Sequence, residues 1–252
     1  MRKISVVIIS FNEERDIGRC LESVSGLAEE VLVLDSFSTD GTEAICRTYA
    51  ARFEQHTFDG YVSQKNRALK LASHDYILSL DADEALSEEA RSEVEKVKKE
   101  WSHDGYFFNR RNSYCGHWMR HTTWYPDRKL RLFDRRKANW TGLDPHDSIR
   151  MDPESQMVRL KGDILHWTVR TKIEQQAKTE QFARISAKYY FDQGIKPGKG
   201  SAVIHSVWRW FREYCLLLGV LDGKAGWEVA RFSALYVWKK YYYLRQLYES
   251  QG

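Results

Sequence analysis

Tyr76-Ile-Leu-Ser-Leu-Asp81-Ala-Asp83-Glu84 passes from an apolar run into three acidic residues. The apolar run, residues 76–80, is typical of a buried strand. Because residues two apart on an extended chain point to the same side, we expect Asp81 and Asp83 to project together from the strand's carboxyl end. Ligands bind at that end of the strands in open α/β sheets. The stretch therefore predicts a buried strand with a ligand site at its end.

The two carboxylates of this stretch repel each other unless a cation or a shared proton relieves them. Mg²⁺ and Mn²⁺ prefer oxygen ligands, and either ion can bridge a carboxylate to a diphosphate. An acidic cap between the strand and a helix beginning near Ser87 is the alternative interpretation of the same residues. D-x-D is a common pattern, so the spacing alone favours the acidic cap, and the surrounding sequence is what strengthens the metal interpretation.

The rest of the chain alternates short apolar runs with helical patterns. Residues 4–9, 30–34 and 52–56 predict three further strands, and helical spacing of apolar residues predicts helices near residues 15–25, 42–50 and 64–72. Strand, helix, strand in this order indicates right-handed βαβ units and a doubly wound, mostly parallel sheet. Polar side chains then stand at three strand ends: Asn12, Asp35 and the pair Asp81 and Asp83.

Composition indicates a globular protein with an uneven charge. The chain has 252 residues, 42% hydrophobic and 29% charged, enough for a large core and one appendage. Residues 1–160 hold 24 Lys and Arg against 27 Asp and Glu, whereas residues 161–252 hold 15 against 8. Aromatic residues also crowd the second part. A basic, aromatic-rich end suggests an anionic surface as a partner.

Cysteines and apolar segments exclude several classes of protein. The four cysteines form no C-x-x-C pair, which favours a reducing compartment over a disulfide framework or a zinc ribbon. The N-terminal apolar run is too short for a signal peptide, and no uncharged apolar stretch reaches the roughly 20 residues of a membrane span. Neither G-x-G-x-x-G nor G-x-x-x-x-G-K-[ST] occurs, so a nucleotide site would depend on carboxylates and a metal.

Several blocks of the sequence, in their order, resemble family 2 glycosyltransferases with a GT-A fold. The blocks are Ile4–Glu14, Asp35–Thr42, Gln64–Asn66 and Asp81–Glu84. Downstream, Trp140–Asp147, Leu165-His166 and Gly219–Gly226 are similar to lipopolysaccharide-core β-1,4-glucosyltransferase-type members. The resemblance implies a Rossmann-like, mostly parallel sheet flanked by helices. It divides the chain into a catalytic domain, residues 1–170, and a helical extension, residues 171–252.

The resemblance also implies roles at a donor site. A nucleotide sugar would be bound by Phe11, Asn12, Glu14, Asp35, Lys65, Asn66, Asp81 and Ala82. Phe11 would stack on uracil and Asp35 would accept a hydrogen bond from its imide. Lys65 would reach the base or a phosphate, or lie on a helix surface. Asp83 would bind Mg²⁺ or Mn²⁺, with Asp81 supporting the ribose or the same ion.

An inverting transfer additionally needs a base that takes the proton of the acceptor hydroxyl. Asp147 is the candidate, with His146 as the alternative base or as its orienting partner, although related members usually carry Glu where Asp147 stands. His166 would complete the metal site or contact the diphosphate, or it is structural. The basic clusters at residues 128–131 and 135–137 would bind acceptor phosphates, unless they are simply solvated.

The C-terminal region predicts helices at residues 173–194, 201–221 and 227–247, where tryptophan and tyrosine alternate with arginine and lysine. This mixture is typical of a helix lying on anionic lipid. A helical hairpin packed on the catalytic domain or on a second subunit is the alternative. No nucleic-acid-binding module is recognisable.

Together these features predict a metal-dependent inverting hexosyltransferase. It would move a sugar, glucose by resemblance, from a UDP-sugar to a lipid-linked saccharide of the lipopolysaccharide inner core. It would work on the cytoplasmic face of the bacterial inner membrane, as a monomer or homo-oligomer. Another polysaccharide or lipid-carrier acceptor is an alternative. A nucleotidyltransferase and an inactive nucleotide-sugar-binding protein at the membrane are rivals, the first disfavoured because the turn after the first strand lacks an activating glycine loop.

Overall fold

The structure, a computed structural model, describes residues 1–143, 146–198 and 200–250, with the backbone alone at Leu143 and His146. The chain forms two compact units. The first comprises Met1–Arg110 and Arg128–His166, and the second comprises Arg111–Asp127 and the chain from Trp167 onward. The predicted assignment of residues 1–170 and 171–252 to separate functional domains stays a prediction.

The elements follow one another along the chain as strands and helices. The strands are β1 (Ile4–Ser10), β2 (Glu30–Asp35), β3 (Arg52–Gln55), β4 (Tyr76–Asp81), β5 (Glu84–Leu86), β6 (Gly105–Tyr114), β7 (His117–Trp118), β8 (Asp127–Asp134), β9 (Ala138–Leu143), β10 (His146–Met151) and β11 (Met157–Val169). The helices are α1 (Ile17–Ser23), α2 (Thr42–Thr48), α3 (Tyr61–Leu71), α4 (Glu88–Lys99), α5 (Lys172–Asp192), α6 (Ser201–Phe211) and α7 (Gly223–Glu249).

The main sheet has the strand order β3-β2-β1-β4-β8-β6-β11-β5. Strands β3, β2, β1 and β4 run parallel, and β8 joins β4 in the antiparallel sense. Ser10 is in register with Asp35, and Ile9 with Asp81. The carboxyl ends of β1, β2 and β4 therefore lie at one edge of the sheet, as the sequence predicts. Strands β9 and β10 form a separate antiparallel hairpin.

The apolar runs form strands because both faces of the parallel half are covered. Ile4, Val6 and Ile8 of β1 pack on one side in a cluster that includes α1 and α4, while Val7 packs on the other side in a cluster that includes α3. Ile4, Val6 and Ile8 are fully buried. Burial on both faces explains why this strand is a continuous apolar run rather than an alternating one.

The expected extended path through Asp81 and Asp83 is wrong. Strand β4 ends at Asp81, and Ala82 and Asp83 form a turn that leads into β5. Strand β5 pairs antiparallel with β11, which places His166 opposite Glu84. Asp81 is therefore the last residue of the strand, whereas Asp83 belongs to the turn, because the chain turns at Ala82 and Asp83 instead of continuing as an extended strand.

The second unit contains the short strand β7, paired with the end of β6, and the helices α5, α6 and α7. The last helix begins at Gly223 rather than at the predicted Trp227. A Cβ on Gly226 would lie 1.8 Å from the carbonyl oxygen of Gly219, so only glycine permits this close approach. None of the helices described has the length and apolarity needed to cross a membrane.

The half-buried Glu30 at the start of β2 gives a pH-dependent contribution to stability. Glu30 accepts hydrogen bonds from Ser5 Oγ at 2.5 Å, from Ser73 N at 2.6 Å and from Ser73 Oγ at 2.7 Å. Burial raises the pKa of Glu30, but these hydrogen bonds and that from Arg52 outweigh burial and lower the pKa to about 2. The ionised carboxylate is therefore favoured in the folded state.

We predict that Glu30→Gln lowers the free energy of unfolding at pH 7 by about 1–3 kcal/mol, because it weakens a half-buried hydrogen-bonded carboxylate. A depressed folded-state pKa gives stability that is complete above the ordinary pKa of 4.5 and is lost as pH falls towards about 2. Urea unfolding should therefore show a gap between wild type and variant that narrows below pH 4.5. Glu54→Gln, on the neighbouring strand, serves as the control, and a gap that is independent of pH would contradict the assignment.

Candidate active site

A cavity of ≈ 750 Å³ lies in the first unit, where the chain leaves the carboxyl ends of β1, β2 and β4. Its wall includes the predicted site residues Phe11, Lys65, Asp81, Ala82, Asp83, Asp147 and His166. These residues come from five separate parts of the sequence. The sheet order brings them together because parallel strands end at the same edge.

Four aromatic side chains surround the cavity. Phe11, Phe37, Phe58 and Tyr61 all line it, and each exposes more than two fifths of its surface. Phe58 and Tyr61 meet edge to face with their ring centroids 5.1 Å apart. Exposed aromatic rings at a cavity offer flat apolar faces on which a planar base can stack. The sequence analysis identified only Phe11. Phe37 and Phe58 stand in polar loops and Tyr61 at the first position of α3, where an aromatic residue is itself a signal.

Asn12, Glu14 and Asp35, predicted to bind the nucleotide, do not line the cavity but hold its rim together. Asn12 Oδ1 accepts a hydrogen bond from Thr39 N at 2.9 Å, and Glu14 Oε2 accepts one from Gly41 N at 2.7 Å. The loop after β1 is thereby joined to the loop after β2.

Asp35 is fully buried at the end of β2. Its carboxylate accepts hydrogen bonds from Ser10 Oγ at 2.8 Å and from Ser38 N at 2.7 Å. These bonds satisfy the carboxylate within the protein and fix the turn that carries Phe37. Its predicted contact with uracil stays a prediction.

The buried ammonium of Lys65 connects two of the predicted site carboxylates. Lys65 Nζ lies 2.8 Å from Asp81 Oδ1 and 2.8 Å from Asp147 Oδ2. It also lies 4.3 Å from the centre of the Trp140 ring. Burial lowers the pKa of Lys65, but the negative charges of Asp81 and Asp147 outweigh burial and raise it. The ammonium is therefore charged, and it holds Asp147 at the cavity wall.

Arg131 extends this chain of charges into the interior. Its Nη2 donates to Asp81 Oδ2 at 2.6 Å and to Glu84 Oε1 at 2.7 Å, and Arg110 Nη1 donates to the same Glu84 oxygen at 3.2 Å. Burial raises the pKa of Asp81, but Arg131 and Lys65 hold it well below its ordinary value. The repulsion expected of the acidic stretch is thus relieved by protein cations, and both oxygens of Asp81 are engaged.

Asp83 and His166 form a separate pair at the cavity. His166 Nε2 lies 3.1 Å from Asp83 Oδ2. Burial raises the pKa of Asp83, but the charge of His166 and its hydrogen bond outweigh burial and lower it. Among the residues that the structure describes, no three His, Cys, Asp or Glu side chains are grouped to hold a metal ion. A carboxylate with one imidazole nonetheless fits Mg²⁺ or Mn²⁺ if substrate phosphates and water complete the coordination.

The remaining predicted residues are Asn66, on α3, and His146, on the hairpin that carries Asp147. Asn66 Nδ2 donates to Trp140 O at 2.9 Å, and Trp140 N donates to Asn66 Oδ1 at 3.0 Å. This double hydrogen bond fixes β9 on α3 and occupies the amide predicted to bind the nucleotide. Asp147 lies on β10 opposite Gly142. The side chain of His146 lies outside the described part of the chain.

Comparison with known proteins identifies the family. Residues 5–152 match Glycosyl transferase family 2. The chain belongs to this family. The predicted fold class, a GT-A α/β fold with a helical C-terminal extension, is thereby confirmed together with the predicted family.

Two relatives and one solved structure are similar to this chain. A glycosyltransferase of Rickettsia bellii is 31% identical over 224 residues, which cover 84% of this chain and 76% of the relative. The lipopolysaccharide core biosynthesis glycosyltransferase LpsC of Rhizobium meliloti is 30% identical over 202 residues, 77% of this chain and 74% of that protein. A solved glucosyl-3-phosphoglycerate synthase from Mycobacterium tuberculosis, in complex with Mn²⁺ and UDP, is 27% identical, with coverage of 46% and 45% and a TM-score of 0.35.

The charge network of this glycosyltransferase predicts a large effect of Arg131→Met on stability. The substitution leaves the buried carboxylates of Asp81 and Glu84 without their shared guanidinium, and breaking a buried ion pair from one side costs about 3–5 kcal/mol. Denaturant unfolding at pH 7 measures this loss. Arg159→Met replaces an exposed arginine of the same unit and should change the free energy by less than about 0.5 kcal/mol. Equal effects of both substitutions would show that the network contributes no net stability.

Proposed function

We propose that this glycosyltransferase transfers a sugar from a UDP-sugar, with inversion at the anomeric carbon, to a lipid-linked saccharide. The observation that most supports this proposal is that one cavity is lined by an aromatic rim, by the Asp83–His166 pair and by the ion-paired Asp147. Each of these three features matches one part of a nucleotide-sugar donor or of the attacking hydroxyl. The family assignment supports glycosyl transfer as the reaction class.

The donor would lie across the carboxyl ends of the parallel strands. Its uracil would stack among Phe11, Phe37 and Phe58, whose exposed faces line the cavity. Its diphosphate would then extend towards Asp83 and His166. A divalent cation held by these two residues would supply charge stabilisation for the departing diphosphate. The negative lining of the cavity suits this arrangement, because Glu13, Asp81, Asp83 and Asp147 outnumber Lys65 and Arg110.

Asp147 would act as the base that accepts the proton of the acceptor hydroxyl. Its carboxylate lies at the cavity wall and is oriented by Lys65 through a contact of 2.8 Å. A fixed carboxylate of this kind removes the proton as the hydroxyl oxygen attacks the anomeric carbon from the side opposite the leaving group. His146, its neighbour in the chain, remains the alternative base.

We propose specifically that the transferred sugar is glucose and that the acceptor is the lipopolysaccharide inner core. They rest on the Trp140–Asp147, Leu165-His166 and Gly219–Gly226 segments and on the similarity to LpsC, which is a lipopolysaccharide core biosynthesis glycosyltransferase. Such an acceptor would place this enzyme on the cytoplasmic face of the inner membrane.

The proposed roles predict different defects for two substitutions. Incubation with a panel of UDP- and GDP-sugars and Mn²⁺ should release UDP from one UDP-sugar. Asp147→Asn should retain the binding of that UDP-sugar while lowering turnover by about 10²–10⁴-fold, because it removes a general base. Asp83→Ala should abolish the Mn²⁺ dependence of UDP binding. UDP release and calorimetric titration of UDP, with and without Mn²⁺, measure the two effects.

A matched substitution controls for loss of structure. Asp59→Asn alters an exposed carboxylate that pairs with Arg67 on the same unit and does not line the cavity. It should leave both turnover and Mn²⁺ dependence unchanged. Near-normal turnover of Asp147→Asn would remove the proposed base, and unaltered Mn²⁺ dependence of Asp83→Ala would remove the proposed cation site. Hydrolysis of no nucleotide sugar in the panel would reject the donor.

We further propose that α6 binds an anionic membrane surface. Val203, Ile204, Val207, Trp208 and Phe211 recur at helical spacing, and each exposes more than two fifths of its surface. Helix α6 buries none of its residues. Arg209 within the helix and Arg212 directly after it are basic. An exposed apolar face beside basic residues is the pattern of a helix that lies in the headgroup region of anionic lipid.

Vesicle binding tests the role of α6. The wild type should sediment with vesicles of phosphatidylcholine and phosphatidylglycerol, and less with phosphatidylcholine alone. Ile204→Gln combined with Val207→Gln should weaken binding at least about tenfold, because burying each side chain contributes roughly 1.5–3 kcal/mol. Ile173→Gln, at an exposed apolar residue of α5, is the control. Unchanged sedimentation of the double variant, or a change only in its oligomeric mass, would contradict membrane binding.

A further inference from the structure

We call the ≈ 750 Å³ cavity at the ends of β1, β2 and β4 the donor cavity. A second cavity of ≈ 450 Å³ adjoins it in the first unit. It is lined by Lys65, Asp81, Phe107, Arg110, Arg128, Lys129, Leu130, Arg131, Trp140, Asp147, Ser148 and Ile149. Four of these residues, Lys65, Asp81, Arg110 and Asp147, line the donor cavity as well. The two cavities therefore have a wall in common, and the candidate base Asp147 stands in it.

The two cavities have opposite charge. The donor cavity carries two cationic side chains, Lys65 and Arg110, against four carboxylates. The second cavity carries five cationic side chains against only two carboxylates, Asp81 and Asp147. Focusing of positive potential in a cleft favours an anionic ligand. The second cavity is thus unsuited to the cation that the first would hold, and it is suited to a negatively charged molecule.

Strand β8 supplies most of this positive charge. Arg131 is committed to Asp81 and Glu84, and Lys65 to Asp81 and Asp147. Arg128, three residues before Arg131, is exposed and forms no ion pair with any carboxylate in the described ranges. Its guanidinium is therefore available to a ligand, and the planar fork of arginine matches phosphate and carboxylate oxygens.

Two buried donors on wall residues also lack acceptors. Arg131 Nε and Trp140 Nε1 have no hydrogen-bond partner among the described residues, although Arg131 and Trp140 are 3% and 5% exposed. Buried donors without partners are uncommon in folded proteins. Because both atoms are enclosed, they add positive character to this wall without being accessible to a ligand, and Arg128 is an exposed cation of the same wall.

We propose that the second cavity binds the acceptor, and that this acceptor is an acidic saccharide whose phosphate or carboxylate lies against Arg128. The inference rests on the proposed function, since it takes Asp147 as the base in the common wall. The acceptor hydroxyl reaches Asp147 from the second cavity while the donor occupies the first. Arg128 then selects acceptors by their charge and sets the distance between the anionic group and the attacking hydroxyl.

Binding of small probes tests this assignment without turnover. With UDP and Mn²⁺ saturating the donor cavity, ligand-observed NMR measures the dissociation constants of glucose 6-phosphate, glucuronate and glucose. At least one anionic probe should bind about tenfold more tightly than glucose, as expected for a charge-assisted hydrogen bond. The phosphate and carboxylate probes decide which anionic group the cavity takes. Equal binding of all three probes, or binding by neither anionic probe, overturns the proposal.

Substitution identifies the residue responsible. Arg128→Gln should weaken the preferred anionic probe about tenfold, to the level of glucose, while Arg128→Lys should retain part of the affinity. Arg159→Gln, an exposed arginine that lines neither cavity, should have no effect. An unchanged affinity of Arg128→Gln overturns the role of Arg128. Because probe binding needs no chemistry, this result is independent of whether Asp147→Asn loses turnover.

Discussion

The structure of the site depends on a buried ammonium, Lys65, held between Asp81 and Asp147 at 2.8 Å from each. The pair Arg131 and Glu84 continues this alternation of charge into the core. A buried charge is tolerated only when it is paired, so each member fixes the position of the next. Asp147, the end of β4 and the interior of the unit are thereby linked by ion pairs that leave little freedom to any one of them.

The same network explains why the acidic stretch after β4 serves two purposes. Both oxygens of Asp81 are engaged by the protein cations Arg131 and Lys65. Asp83, in the turn that follows, pairs with the imidazole of His166. Both carboxylates line the cavity, but the first is already ion-paired on both oxygens, and its predicted contact with the donor stays a prediction. Two chemically identical residues are distinguished by the turn between β4 and β5.

Much of the fold could be predicted from the sequence, because a strand buried on both faces has to be a continuous apolar run. Residues 4–9 and 76–80 show this directly, and the βαβ order fixes which strand ends lie together. The predicted Phe11, Lys65, Asp83, Asp147 and His166 do line one cavity. These residues follow strands or belong to short motifs, so local sequence carries their positions.

Other parts of the site depend on distant partners and escaped prediction. Arg131 lies in a run of basic residues that looks solvated, and its role appears only when β8 pairs beside β4 and brings it to Asp81, fifty positions away. Asn66 looks like a ligand-binding amide, but its amide is satisfied by the backbone of Trp140. A motif shows which side chains are polar, and only the fold shows which of them are already satisfied.

The division of the chain into units also has a consequence for its modularity. The polypeptide passes from one unit to the other near residues 110, 127 and 166, so neither unit is a single contiguous segment. No single crossover between genes can therefore exchange one unit intact, and no stop codon can remove one and leave the other whole. Exchange of either unit between related genes would need crossovers at more than one of these positions.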